Sequence, residues 1–442
     1  MAGTLSADYI QPQSNTGLTI LTPDGGTIAS VNIGGIYSAT GNLLISSSFN
    51  GLVANTGISG LITNDQIASV ANTKITGTIN SNQLGSNVAQ FNGMKNRIIN
   101  GAMVIDQRNA GASITNAASS TYIVDRFYIN GTQASKFTAQ QNAGSVTPPV
   151  GFTNYLGITS SSAYSIAAGD LFNITQVIEG YNIADLGWGT ANAKTVTLSF
   201  WVRSSLTGTF GGSFLNAGAA RAYPFSYTIS AANTWQQISV TIAGETSGSW
   251  QSTNSSGIFV IFSLGAGSTF SNTAGAWVNG NYQSATGATS VVGTSGATFY
   301  VTGVQLEVGS QATSFEYRQY TTELALCQRY YQKSYRPEVV PGTALPNDYD
   351  GQGAQFSGTG IVTGNIFGGA VSFPVAMRTS ATIKTYDCAG TIDKLSGLSN
   401  GGVITNGVNA NLANGGTNLV NFRIYNVAHY GFVVAWTASA EL

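Results

Sequence analysis

Few side chains in this sequence can do acid, base or nucleophile chemistry at neutral pH. Histidine occurs once, as His429 in Asn426-Val-Ala-His-Tyr-Gly-Phe, and cysteine twice, as Cys327 and Cys388. A hydrolytic triad needs a histidine base beside a nucleophile and an orienting acid. No Gly-x-Ser-x-Gly elbow stands in a strand-turn-helix setting here, so His429 is expected to be structural. The same counts leave no zinc site of the His/Cys kind, and both thiols are expected to be free. Calcium ligation through backbone and Asp oxygens would need none of these residues. No cofactor is expected. Paired carboxylates are the remaining hydrolytic device, since glycoside hydrolysis needs only two, about 5 to 9.5 Å apart. Asp348 and Asp350 flank Tyr349 in Leu345-Pro-Asn-Asp-Tyr-Asp-Gly. Acids two apart in a loop usually cap turns through nearby amides, so the chain is not expected to be an enzyme.

Binding a sugar asks for less: a flat ring for the apolar face of a pyranose, with amides and carboxylates for its hydroxyls. Tyr349 with Asp348 and Asp350 offers that combination. Trp250, Trp277 and Tyr282, in Gly/Ser/Asn-rich loop sequence, are the candidates of the middle region, and Trp188 in Leu186-Gly-Trp-Gly is a further one. The competing role for each tryptophan is packing over the end of a sandwich, and for Tyr349 it is anchoring its own loop.

The elements that must position these residues are almost all strands. Charged residues make up 8% of the 442 and glycine contributes 55, against about 25% charged in ordinary globular chains. Solubility must therefore come from Ser, Thr, Asn and Gln, which suits a long-lived extracellular structure. A net charge of −1 without a basic run offers no footprint for phosphate backbones, so no nucleic-acid partner is expected. No window approaches the ~18 to 20 apolar residues of a spanning helix, so no membrane insertion is expected. The first basic residue is Lys74, so conventional secretion is not indicated, and an extracellular role would use another route, such as release of an assembled particle.

Residues 1–90 are short apolar runs punctuated by glycine, with Asp65-Gln-Ile-Ala-Ser echoed by Asn82-Gln-Leu-Gly-Ser. Strands so poor in large side chains cannot close a core alone, so identical chains are expected to supply the missing contacts in a thin, three-fold β stem. Residues 91–320 carry longer alternating strands. In Lys194-Thr-Val-Thr-Leu-Ser-Phe-Trp-Val-Arg, for example, Val196, Leu198, Phe200 and Val202 share one face. The alternation through Phe299 and Val301 changes phase at Gly303, as at a bulge. An antiparallel jelly-roll sandwich is the expected form. Helical signal is confined to 321–336, with Thr321 or Thr322 as cap, Leu324, Cys327 and Tyr331 on one face and Pro337 as stop. Residues 337–442 return to strand patterning and predict a C-terminal β-sandwich tip. The chain is thus expected to be all-β and multidomain with one short helix.

Charge gathers at two joints. Six charged residues lie in 95–126 and eight in 307–338. Asp125 and Arg126 read as adjacent strand residues on opposite faces. Asp125, sharing the face of Phe127 and Ile129, is the one expected to be buried, with Arg108 or a backbone donor as its partner, and Arg126→Ala is expected to cost less than Asp125→Ala.

These joints also carry a resemblance. Lys95 to Gln107 with Tyr122 to Phe127 resembles the opening motif of a sandwich module in tail fibres of tailed bacteriophages. Gly303-Val-Gln-Leu-Glu-Val-Gly, running on to Glu323-Leu-Ala-Leu-Cys-Gln-Arg-Tyr-Tyr, is similar to the closing strand and helix of the same proteins. Phe373-Pro-Val-Ala-Met-Arg and Ala440-Glu-Leu resemble their C-terminal domain. The resemblance implies a homotrimeric virion protein of the tail fibre that attaches through residues 1–90 to other tail or baseplate proteins. It also implies a carbohydrate-binding-like jelly roll and contact with the host surface, but no particular ligand; a host surface glycan is the expected partner of the aromatic and amide candidates above. A tailspike-like glycan depolymerase and a purely structural fibre or decoration protein are the competing expectations. Recognition is expected at the tip, in the loops 341–355 and 397–416, with Tyr349 first.

Overall fold

The computed structural model describes residues 10–14, 17–21, 27–32, 35–38, 94–345, 352–357, 366–399, 403–409, 412–425 and 429–442. The chain forms two compact units, Met1–Gln83 and Leu84–Leu442. In the first, the glycine-punctuated runs fold as a meander of four short antiparallel strands, Ile10–Ser14, Gly17–Leu21, Thr27–Asn32 and Gly35–Ser38. The sequence echo at Gln66 and Gln83 lies outside the described residues.

The second unit is built on two facing antiparallel sheets. One has seven strands in the spatial order Val278–Asn279, Arg221–Ile229, Gly208–Asn216, Ser256–Ala266, Leu171–Glu179, Phe127–Gly131 and Thr121–Val124. The other has six, in the order Gln236–Ile242, Val196–Ser204, Thr298–Val308, Leu156–Ser160, Phe137–Gln141 and Ile114–Thr115. Period-two alternation sends Val196, Leu198, Phe200 and Val202 from one sheet, and Phe210, Phe214, Val260 and Phe262 from the other, into one shared core. This is the jelly-roll-like sandwich that the alternation predicts. The bulge falls where expected: Ser199 faces Gln305 and Trp201 faces Thr302, so two residues oppose one. Gly303 sits there at φ 62°, and a Cβ on it would stand 2.7 Å from the Phe152 ring.

Two local expectations are corrected. The helix spans Tyr320–Gln328, with Gln319 rather than a threonine at its N-cap, and does not reach 336. Tyr331–Lys333 is instead a strand paired with Ser439, Ala438 and Thr437, a register that suits aromatic residues and satisfies backbone groups a helix end would leave open. Cys327 is fully buried on the helix, a small residue filling space beneath it. Second, Asp125 and Arg126 are not strand residues but a two-residue turn between Thr121–Val124 and Phe127–Gly131, with Arg126 at φ 71°. The turn removes the opposite-face rule, and both side chains are 1% exposed.

The last hundred residues gather around the long strand Gly431–Ser439. It pairs with Tyr331–Lys333, Ala354–Ser357, Thr382–Tyr386 and Lys394–Leu398. A smaller sheet of Ile366–Ser372, Leu419–Tyr425 and Leu412–Gly415 lies apart from it in pairing. Phe373, Met377, Leu395, Phe422, Phe432 and Trp436 form the core of this region.

Candidate functional site

Because the inner face of the seven-stranded sheet is spent on the core, its outer face follows from register. Val177, Phe259, Leu215, Ala222 and Val278 pair in turn across five strands, giving an apolar row. The next row is Tyr128, Thr175, Ile261, Ser213 and Pro224, and the one beyond it begins Asn130, Asn173, Ser263. The face therefore grades from apolar to polar. Tyr282 packs with Phe259 and Val278 on Leu215, Ala222 and Ile261, so this candidate joins the face. Phe259, Tyr282 and Tyr128 are half-buried, presenting part of their rings.

Polar groups on the face are aligned with one another. Asn173 Nδ2 donates to Gln283 Oε1 at 2.7 Å, and Thr175 Oγ1 donates to Asn173 Oδ1 at 3.1 Å. Burial pushes the Tyr128 phenol up to about 12, with its bond to Thr175 pulling the other way. Tyr128 is thus a neutral hydroxyl at physiological pH, and this amide-hydroxyl chain adjoins the aromatic row on fully paired strands. Asn173 and Thr175 are themselves buried and hold the half-buried Gln283 and Tyr128 in place, and these two with the partly exposed rings can stack a sugar face and bond its hydroxyls without supplying an acid or base.

The tryptophans are placed differently. Trp188, Trp250 and Trp277 meet edge to face, with centroids 4.8, 5.3 and 5.5 Å apart, and Tyr223 closes on Trp277 at 5.2 Å. Their indole N–H groups donate to the carbonyls of Lys194, Ser247 and Ala243. Gly189, at φ 85°, lets the backbone pass under Trp250, 3.1 Å from where its Cβ would lie. Every N–H is satisfied and ring edges are set on ring faces, so the three pack over the sandwich end, Trp188 buried and Trp250 and Trp277 half-buried. Arg221 and Glu245, at 2.5 Å, fix the adjoining loop.

Tyr349, Asp348 and Asp350 lie outside the described residues, as do parts of the loops 341–355 and 397–416. His429 is half-buried against Gly397, and its Nδ1 has no partner among the described residues. Cys327 and Cys388 are free thiols. Among the described residues no group of three His, Cys, Asp or Glu could hold a metal ion, and no helix is long and apolar enough to cross a membrane.

The charged joint is a buried network. Asp125 accepts from the Gln107 amide at 3.1 Å and faces Arg108 at 3.4 Å. Arg108 also reaches Glu441 at 2.7 Å, and the same carboxylate takes Arg126. Arg126 lies over the Tyr330 ring at 3.6 Å and donates to the Val177 carbonyl at 2.5 Å. Burial pushes the Asp125 carboxyl up to about 6 against the pull of Arg108 and Gln107. Beside it Glu179 takes Arg329 at 2.5 Å and the Tyr330 hydroxyl at 2.6 Å. Burial raises the Glu179 carboxyl, but these bonds together hold it below its usual range. Arg378 ties the chain end down through the carbonyls of Ala440 and Glu441, both at 2.8 Å. Sequence reasoning found Asp125 and Arg108 but missed Glu441, although Ala440-Glu-Leu stood out among the familiar segments.

No family model and no curated protein matches this sequence. Solved structures do show similarity. The enzymatically active domain of tailspike protein 4 from bacteriophage CBA120 is similar over 48% of this chain at 13% identity and TM-score 0.28, and this chain covers 21% of that one. A family 11 carbohydrate-binding module of Clostridium thermocellum, solved with a mixed-linked tetrasaccharide, is similar over 46% of this chain and 98% of its own, at 9% identity and TM-score 0.23. A xylan-binding domain from Paenibacillus barcinonensis is similar over 46% of this chain and 99% of its own, at 9% identity and TM-score 0.23.

Proposed function

We propose that this chain is a tail-fibre protein of a phage virion that holds host-surface glycans without cutting them. The observation that carries the reading is the outer face of the seven-stranded sheet, where the half-buried rings of Tyr128, Phe259 and Tyr282 adjoin Gln283, held by the Thr175–Asn173–Gln283 bonding chain. The virion part of the proposal draws on the resemblance at 95–107, 122–127, 303–331, 373–378 and 440–442 and on the low surface charge. In this reading residues 1–90 assemble three copies and attach to tail or baseplate proteins. Three weak sites then act together through a high effective concentration. The reading of binding without cleavage is supported by the engagement of Glu179, the carboxylate on this face, by Arg329 and Tyr330. Tyr349 with Asp348 and Asp350 is proposed as a further contact at the tip.

The test is incubation of the full-length protein with an array of bacterial surface polysaccharides. Retention without chain shortening is expected. Tyr282→Ala and Phe259→Leu, which remove flat rings but leave the core filled, should each weaken retention roughly tenfold with little change in melting temperature. Chain shortening would establish a depolymerase instead, and no retention on any polysaccharide would favour the structural fibre. Retention lost in Tyr349→Ala but kept in both sheet-face variants would move recognition to the tip.

A further inference from the structure

A second aromatic surface lies on other residues. Two clefts share Val104 as a common wall. The first, about 240 Å³, runs between the loop 151–153 and the segment 315–318. The second, about 370 Å³, is bounded by Asp106, Gln141, Tyr320 and Glu338. Tyr317 in the first is 58% exposed and Tyr320 in the second 51%, which is high for rings held in place. Tyr317 is fixed by Phe315 and Phe152, at centroid distances of 4.9 and 5.4 Å.

The polar side of the first cleft is Arg318 and Glu323. The Arg318 side chain is only 6% exposed and faces Glu316 and Glu323 at 3.4 and 3.5 Å. Its terminal nitrogens also donate to the carbonyls of Ile98 and Asn96. Its Nε is buried and has no partner among the described residues. Four carboxylates, Asp106, Glu316, Glu323 and Glu338, line the two clefts against one guanidinium.

We propose that this groove binds a neutral oligosaccharide. One pyranose face lies on Tyr317, and a neighbouring sugar lies on Tyr320. The carboxylates accept hydroxyl protons and repel uronic and sialic acids, which sets the ligand class. The proposal rests on the reading of the chain as a glycan binder, but it shares no residue with the sheet face, so the two can fail separately.

The test is ligand-detected NMR on the full-length protein with cellotriose, maltotriose, mannotriose and galactotriose, and with trigalacturonic acid as the acidic probe. A neutral trisaccharide signal is expected, about fivefold or more weaker in Tyr317→Ala and Tyr320→Ala and preserved in Phe259→Leu. Ala102→Leu, which adds volume to the lining of the first cleft without replacing either tyrosine, should weaken it as well. The proposal is overturned if no neutral trisaccharide binds, if trigalacturonic acid binds as well, or if the signal survives both tyrosine substitutions. A signal lost only in Phe259→Leu assigns binding to the sheet face and overturns the groove alone. Tyr317→Ala that lowers the sedimenting mass without changing the signal makes the surface a contact between copies, and also overturns it.

Discussion

The two edges of the seven-stranded sheet are closed by opposite means. At the Val278–Asn279 edge the seal is made of rings, Trp188, Trp250, Trp277 and Tyr223, each packed on the next. At the Thr121–Val124 edge it is made of charges, with Glu441 between Arg108 and Arg126, and Asp125 behind Arg108. A ring seal degrades in proportion to the area removed, because dispersion and burial are spread over many contacts. An ionic seal fails at once when one member is lost, because the remaining charge is left buried without a partner. The ionic edge is also where the C-terminal residues dock, so its charges help hold the last β region on the sandwich.

Breaking the ionic edge should give the largest effect. Glu441→Gln leaves Arg108 and Arg126 without their shared anion and should cost about 3–5 kcal/mol in denaturant unfolding. Arg126→Ala should match Asp125→Ala, since both side chains are buried, whereas the sequence reading expects it to cost less. A cost under about 1 kcal/mol for Glu441→Gln would return the network to the class of solvated surface pairs. Trp277→Ala tests the ring edge and should cost less, about 2 kcal/mol, because the side chain is only half-buried and a fully buried aromatic loses about 3–5.

The edges should also differ in pH response. With the Asp125 carboxyl pushed up to about 6 in the fold and near 3.9 in the unfolded chain, the folded state binds the extra proton between those values. Stability from this group therefore falls as pH rises from about 4 to 6. Asp125→Asn should remove that slope, while Trp277→Ala should leave it unchanged; identical pH profiles for wild type and Asp125→Asn would refute the assignment. The smallest effect is expected at the exposed pair of Arg97 and Asp185, 2.7 Å apart with the Asp185 side chain 47% exposed. Asp185→Ala should cost under about 1 kcal/mol, and a larger loss would mean that exposure does not separate the two kinds of charge site.

What the sequence determined by itself is everything set by period and local chemistry. Alternation put Val196, Leu198, Phe200 and Val202 on one buried face, the phase change located the bulge at Gly303, and the apolar setting of Cys327 made it a filler. Asp125 reads as buried from a shared strand face with Phe127 and Ile129; it is buried, but in a turn where that face rule does not apply. Tertiary structure alone decided the rest, because each remaining feature needs a partner far along the chain. Tyr331–Lys333 leaves the helix only because Ser439 to Thr437 offers it a ladder more than a hundred residues later. Arg126 turns inward only because Glu441 and Tyr330 meet it there. For the tryptophans the Gly/Ser/Asn-rich surroundings leave sugar platform and end packing both open, and only the fold shows three distant loops brought together so that each ring meets another. The rows Val177–Phe259–Leu215–Ala222–Val278 and Tyr128–Thr175–Ile261–Ser213–Pro224 exist only as register across five strands. Period tells which way a side chain points, but not which strand lies beside it.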